Sequence, residues 1–281
     1  MARSIITLTT DFGTADTFVG AMKGVILGIN PDAVVVDLTH EVPPQDVRAG
    51  AYLLDTACHD FPPGTVHVAV VDPGVGTERL PVVVRSPDAA FVGPNNGLLS
   101  YVLSRAGGPR PDAAPFVPAQ VRLPAGWTAY HLSDTRYWRE PVSNTFHGRD
   151  IFAPVAAHLS TGVAPSSMGR AIGEVTAFAV PRPIERDGRV EGCVQHVDRF
   201  GNLVTNIDAA AVREQADVVV EAGGQHVRGL ATSYESDASL VALIGSSGSL
   251  EVAVPNGSAA AHLGLGVGDP VVVRLGPGKE T

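Results

Sequence analysis

The segment Asn144-Thr145-Phe146-His147-Gly148-Arg149-Asp150 places an imidazole, a guanidinium and a carboxylate within seven residues, just before an apolar run of helical spacing. Two more polar clusters follow apolar runs. Asp11-Phe12-Gly13 comes after residues 5–8, and Asp72-Pro73-Gly74-Val75-Gly76-Thr77-Glu78-Arg79 comes after residues 66–71. A carboxylate at the end of a buried strand, followed by a glycine-bearing loop, is where open α/β folds place their ligands. The chain therefore reads as an enzyme.

Each of these groups also has a structural reading. Asp11 suits a ribose diol, to which a carboxylate offers two acceptors, and it equally suits a helix N-terminus. Asp16 reads as the N-cap of a helix that begins at Thr17. Asp72 either opens a turn through Pro73-Gly74 or is a buried strand-end carboxylate that needs a partner, with Arg79 placed to serve. His147 stands out among nine histidines because the glycine beside it would let a ligand approach closely. Arg149 and Asp150 read as a local ion pair, with Asp150 capping a helix from about Ile151. Asp198-Arg199-Phe200-Gly201-Asn202 reads as a hairpin turn. Its alternative is an aromatic wall and an amide facing a purine edge. Gly74-Val75-Gly76 is too short for a dinucleotide fingerprint.

The elements that must position these groups change character along the chain. Strands are expected at residues 5–9, 34–38, 66–71, 82–85 and 90–92, and helices at 17–30, 46–57, 97–104 and 151–159. That alternation predicts an α/β fold, an N-terminal mainly parallel sheet sandwiched by crossover helices. Pro181-Arg182-Pro183 reads as a linker. Beyond it, strand-like runs at 190–197, 203–207, 217–221, 227–231, 250–254 and 270–274 predict a smaller antiparallel β-barrel-like domain. The expected domains are 1–172 and 173–281. Residues 106–143, rich in Pro, Ala and aromatics, read as an excursion over the sheet.

Composition narrows the partners. A chain of 281 residues, 44% apolar, can bury a large core. The net charge of −9 argues against a nucleic-acid backbone or an anionic membrane, and leaves room for a small cationic substrate. No apolar run approaches the ~20 residues that span a bilayer. The N-terminus leads straight into a strand-like run without a secretory segment, and Cys58 and Cys193 stand far apart without metal-ligand spacing. Cytoplasmic residence, reduced thiols and no metal are the expectations.

Five motifs, Thr9-Thr10-Asp11-Phe12-Gly13, residues 71–77, Gly93-Pro94-Asn95-Asn96-Gly97, Thr145-Phe146-His147-Gly148-Arg149-Asp150 and Asp198-Arg199-Phe200-Gly201-Asn202, occur in one order. Together they resemble the S-adenosylmethionine hydrolase (adenosine-forming) family, also called S-adenosylmethionine hydroxide adenosyltransferases, which is related to S-adenosylmethionine-dependent chlorinases and fluorinases. The resemblance covers nearly the whole chain. It implies water attack at the ribose 5′ carbon of S-adenosyl-L-methionine, giving adenosine and L-methionine without a cofactor. It also implies a homotrimer in which the N-terminal domain of one subunit and the C-terminal domain of its neighbour share each substrate. By motif match, Asp72, Arg79 and His147 are the catalytic set. Asp11 would hold the ribose hydroxyls, Asp16 and Asp198 the methionine end, Phe200 and Asn202 the adenine, and Phe146 would line the pocket near the reacting carbon. Fluorinases carry Tyr then Ser after the Thr-Phe pair, where this chain has His147-Gly148; that argues against fluorination and leaves chloride open. The alternatives are a chlorinase, a non-catalytic module that binds S-adenosylmethionine or adenosine, and, more weakly, a metal-dependent hydrolase.

Overall fold

The structure is a computed structural model that describes residues 4–212 and 217–275. The chain divides into two compact units, Met1–Val180 and Pro181–Thr281.

The first unit contains β1 (Ile5–Thr10), α1 (Phe18–Ile29), β2 (Val34–Thr39), α2 (Val47–Cys58), β3 (Val66–Val70), β4 (Pro81–Arg85), β5 (Ala90–Pro94), α3 (Ser100–Arg105), β6 (Pro118–Arg122), β7 (Thr128–Leu132), α4 (Ala153–Ser160), β8 (Gly169–Ile172) and β9 (Glu174–Phe178). Seven strands form one sheet in the order β2-β1-β3-β5-β4-β7-β8. The pairs β1–β2, β1–β3 and β3–β5 are parallel. β4, β7 and β8 join in antiparallel fashion, which turns β7 back to the direction of the parallel four. The sheet is thus mostly parallel and the class α/β, as expected.

Alternation along the strands builds two cores. Val68, Val70 and Val83 face one way, toward Met22 and Ile26 of α1 and Phe152 to Ala157. Ala69, Val71, Val82 and Val84 face the other, toward Leu54 of α2 and Val102 of α3. A sheet covered on both faces explains why β3 is apolar nearly throughout. α2 begins where the sequence predicts, because Asp46 accepts from the N–H groups of Arg48 and Ala49, each at 3.0 Å. Residues 106–143 hold β6 and β7. β6 pairs with β9 in a separate two-stranded ribbon. Because β8 and β9 both pair inside the first unit, that unit extends to Val180 rather than to residue 172.

The second unit contains β10 (Ile184–Arg186), β11 (Arg189–Val197), β12 (Leu203–Asp208), β13 (Val218–Ala222), β14 (Gln225–Arg228), β15 (Val241–Ile244), β16 (Ser249–Ala253), α5 (Ala259–Leu263) and β17 (Pro270–Leu275). Its strands run in the order β14-β13-β17-β11-β12-β16-β15, with β10 on β11, all antiparallel. A bridge from Ala231 to Leu243 brings the chain beyond β14 against the opposite edge, so the sheet nearly closes as a barrel. Val190, Val194, Leu203, Ile207, Val220, Val252 and Val273 fill its interior. The expected strand start at Asp217 moves to Val218. β10 and β15 are additions to the sequence-based scheme.

Candidate active site

β1 lies between β2 and β3, parallel to both. The connection to β2 crosses one face with α1, and the connection to β3 crosses the other with α2. Neighbouring strands that leave toward opposite faces open a crevice at their carboxyl ends. Asp11 follows β1, and Asp72 follows β3 by one residue past Val71.

The loop after β3 folds back on itself. Val75 N–H donates to the Asp72 carbonyl at 3.2 Å, and the Thr77 hydroxyl donates to the Gly74 carbonyl at 2.7 Å. This returns Arg79 to Asp72. Arg79 Nε donates to Asp72 Oδ1 at 2.9 Å, and Nη2 donates to Oδ2 in a second, shorter bond. Both side chains are buried, 9% and 5% exposed. Asn96 fixes the strand end, its amide donating to the Val71 carbonyl at 2.8 Å.

Arg79 Nη2 also reaches His147 Nδ1 at 2.7 Å, across 68 residues of sequence. A guanidinium only donates, so Nδ1 accepts and the neutral ring carries its proton on Nε2. Burial holds the His147 imidazole below its ordinary range; the charge of Arg79 adds to this, against the opposing pull of Asp72 and Asp150. The guanidinium lies 5.3 Å from the ring centre of Phe152. Gly76, at φ +77°, makes the approach of the two loops possible, because a Cβ there would stand 2.5 Å from the Asn144 carbonyl oxygen.

His147 precedes a π-helical turn, Gly148–Phe152, that leads into α4. Asp150 is fully buried inside that turn and is its hub, a correction to the capping role expected of it. It accepts from Arg149 Nε at 2.7 Å and Nη2 at 2.9 Å, from Ser143 N–H at 2.9 Å and from Arg139 Nη1 at 3.2 Å. Burial alone would raise this carboxyl; the bonds from Arg149, Ser143 and Arg139 outweigh it and hold the pKa below the usual range. The π-helical turn holds Asp150 among these donors. Gly148 also has a packing reason to lack a side chain. A Cβ there would meet Met22 Sδ and the Phe12 ring, each at 3.3 Å, so the glycine lets the turn pack on α1.

Phe146 packs edge-on against Phe12 at 5.8 Å and Phe18 at 5.1 Å, which joins the loop after β1 to the His147 segment. Asp11 Oδ2 accepts from the Gln45 N–H at 2.8 Å and caps no helix. Asp16 is exposed. α1 starts at Phe18 with no side-chain cap bond, so the expected N-cap is not formed.

The second unit carries Asp198, Phe200 and Asn202 in the β11–β12 turn. Asp198 Oδ1 accepts from the N–H groups of Phe200 at 2.9 Å and Asn202 at 2.8 Å, and Oδ2 accepts from the Asn202 amide at 2.8 Å. This turn lifts the Phe200 ring to 76% exposure while Asn202 is buried. The same unit holds a buried carboxylate, Glu251, that accepts from the Tyr234 hydroxyl at 2.6 Å. Neither residue had a sequence signal, since each sits in an ordinary strand-and-loop pattern.

Comparison with known proteins places the whole chain. A family model described as SAM hydroxide adenosyltransferase N-terminal domain matches residues 6–169, and the corresponding C-terminal domain matches residues 192–272. An (R)-S-adenosyl-L-methionine hydrolase of Thermus thermophilus is 39% identical over 93% of this chain and 96% of its own length. A protein of the same name from Salinispora tropica is 37% identical over 96% and 98%. The crystal structure of an uncharacterized conserved protein from Thermotoga maritima superposes with a TM-score of 0.83 at 34% identity, covering 96% of this chain and 99% of that one. Similarity at this level over both units leaves one assignment: the chain belongs to the SAM hydroxide adenosyltransferase family.

Proposed function

We propose that this protein hydrolyses S-adenosyl-L-methionine to adenosine and L-methionine by water attack at the ribose 5′ carbon. The observation that carries the reading is the hydrogen-bonded Asp72–Arg79–His147 set at the carboxyl end of the parallel strands. The names of the relatives at 37–39% identity support it, and their stereodescriptor makes the (R) sulfonium the preferred epimer.

The sulfonium makes methionine a good leaving group, so the task is to align a weak nucleophile. As the water oxygen bonds to the 5′ carbon, the C–S bond breaks and its electron pair returns to sulfur, leaving a neutral thioether. His147, protonated on Nε2, donates to the water oxygen and orients it. Asp72 keeps free lone pairs beyond its two bonds to Arg79 and accepts the proton that the water loses. Positioning of this kind contributes several kcal/mol, and a well-placed base about 10²–10⁴-fold. Asp11 is assigned to the ribose hydroxyls and Phe146 to the pocket wall near the reacting carbon. Asp16 and Asp198 are assigned to the methionine end, and Phe200 and Asn202 to adenine. No cofactor takes part, so a chelator leaves turnover unchanged.

Turnover in oxygen-18 water tests the reaction. The label is expected in the 5′ hydroxyl of adenosine. Its absence there, a main product of 5′-chloro-5′-deoxyadenosine in chloride, or stoichiometric ligand retained without turnover would each refute it. The finer reading is a cytoplasmic homotrimer with sites shared between subunits. Cys58 and Cys193 are both free. Among the described residues no helix is long and apolar enough to cross a membrane. Reassembled mixtures of Asp72→Ala and Asn202→Ala chains are expected to regain activity, and robust turnover by isolated monomers would refute sharing.

A further inference from the structure

His40 lies one residue past β2, buried, and links polar groups in series. Its Nδ1 is 2.8 Å from the hydroxyl oxygen of Thr10, the last residue of β1. Its Nε2 stands 3.0 Å from Asp37 Oδ1, an electrostatic contact rather than an aligned hydrogen bond. The other Asp37 oxygen takes Lys23 Nζ at 2.6 Å. Thr10 Oγ1 accepts from the Phe12 N–H at 3.2 Å. The polarity is consistent throughout. Asp37 favours the proton on Nε2, Nδ1 then accepts the Thr10 hydroxyl proton, and the hydroxyl oxygen stays free for Phe12.

The backbone closes the same clasp. The Gly13 N–H donates to the His40 carbonyl at 2.7 Å, and the Val42 N–H donates to the Thr10 carbonyl at 3.4 Å. Gln45, from the loop after β2, donates its N–H to Asp11 Oδ2 at 2.8 Å. Asp11 thus sits between two loops that His40 ties together by both its side chain and its main chain. Gly13 turns the loop at φ +63°, a conformation that favours glycine.

We propose that His40 is a positioning residue for substrate binding: through Thr10 and its own carbonyl it fixes residues 11–13 so that the Asp11 carboxylate meets the ribose diol. A carboxylate that must accept from two vicinal hydroxyls gains from being held beforehand, because ordering it at binding would subtract from affinity. The inference rests on the assignment of Asp11 to the ribose and adds what presents that carboxylate. The Asp72–Arg79–His147 set lies on other loops, so the effect belongs to binding and not to the chemical step.

His40→Gln, His40→Asn and Thr10→Val test it, with KM and kcat for S-adenosylmethionine, calorimetric affinities for adenosine and 2′,3′-dideoxyadenosine, and thermal unfolding. His40→Gln and Thr10→Val are expected to raise KM and weaken adenosine about tenfold, the worth of one hydrogen bond to a charged group. The dideoxy compound is expected to bind them as it binds the wild type, and kcat to stay within about threefold. His40→Asn, whose amide reaches the position of Nδ1, recovers most of the adenosine affinity. Equal weakening of both nucleosides, a fall in kcat to match KM, or unchanged adenosine binding would overturn the proposal. Should His40→Gln not fold, Thr10→Val, a methyl for a hydroxyl, decides alone. A wild type that binds both nucleosides equally would remove Asp11 from the ribose and refute the underlying assignment as well. A wild type that distinguishes them while the variants behave like it refutes the clasp only.

Discussion

Arg79→Ala probes the centre of the site most directly. The substitution removes both bonds to Asp72 and the bond to His147 Nδ1, and it strips the cation from the Phe152 ring. Asp72 is then a carboxylate 5% exposed with its guanidinium partner gone. Removing one partner of a buried pair typically costs about 3–5 kcal/mol. For a unit of this size that lowers the unfolding midpoint by roughly 6–20 °C. Catalysis suffers separately. Without the guanidinium, neither tautomer of His147 is imposed and Asp72 is free to rotate, so kcat is expected to fall about 10²–10⁴-fold. KM is expected to change little, because ribose and adenine are assigned to other residues. Arg79→Lys separates the two effects. One ammonium neutralises Asp72 and restores part of the stability, but it cannot reproduce a planar fork that bridges two acceptors, so kcat stays low. Double substitution with Asp72→Asn is expected to cost little more activity than either change alone, as for groups that act as a unit. Steady-state kinetics and thermal unfolding measure both effects. An Arg79→Ala enzyme with kcat within about threefold of wild type would refute the bridged set as the catalytic device.

Three further outcomes follow from the same geometry. Asp72→Asn and His147→Ala are expected to lose most of kcat while calorimetry finds adenosine affinity nearly intact; lost affinity with surviving turnover would reverse their roles. Burial and Arg79 depress the His147 pKa, so the ring stays neutral below the ordinary imidazole range and protonates only in more acidic solution. The acid limb of the kcat profile is therefore expected below pH about 6.5, and a limb above it would contradict the arrangement. His67, stacked on Phe91 and bonded to Thr7, is held down to about 4 by burial. The unfolded chain binds a proton at that position first, so stability is full above the unfolded value and declines by about 3 kcal/mol as pH falls from ~6.5 to ~4. Urea unfolding of wild type and His67→Gln across that window is expected to show a steeper decline for the wild type, and parallel curves would refute the linkage.

Local rules carried much of the fold. Met22 and Ile26 at helical spacing, the Asp46 cap and the apolar run of β3 depend on neighbours within a few residues, so their elements stand in the structure close to where the sequence places them. The order of the motifs likewise singled out Asp72, Arg79 and His147. Their union did not follow from spacing, because it depends on two loops 68 residues apart meeting at Gly76. Short or polar strands were the hardest to see. β10 and β15 hold only three and four residues, and β6 has a largely exposed pattern, so each is strand because a distant partner offers it a ladder. The unit boundary moved for the same reason, since β9 is claimed by β6. Asp150 and His40 make the sharpest contrast. Read locally, one is a helix cap and the other an unremarked loop histidine. In three dimensions a π-helical turn buries the first among four donor groups, and parallel pairing of β1 with β2 sets the second against Thr10. Sequence determined which side chains were available and which short segments were helix or strand. Long-range pairing alone decided which side chains met, because burial and hydrogen-bond satisfaction are properties of the packed chain and not of any window along it.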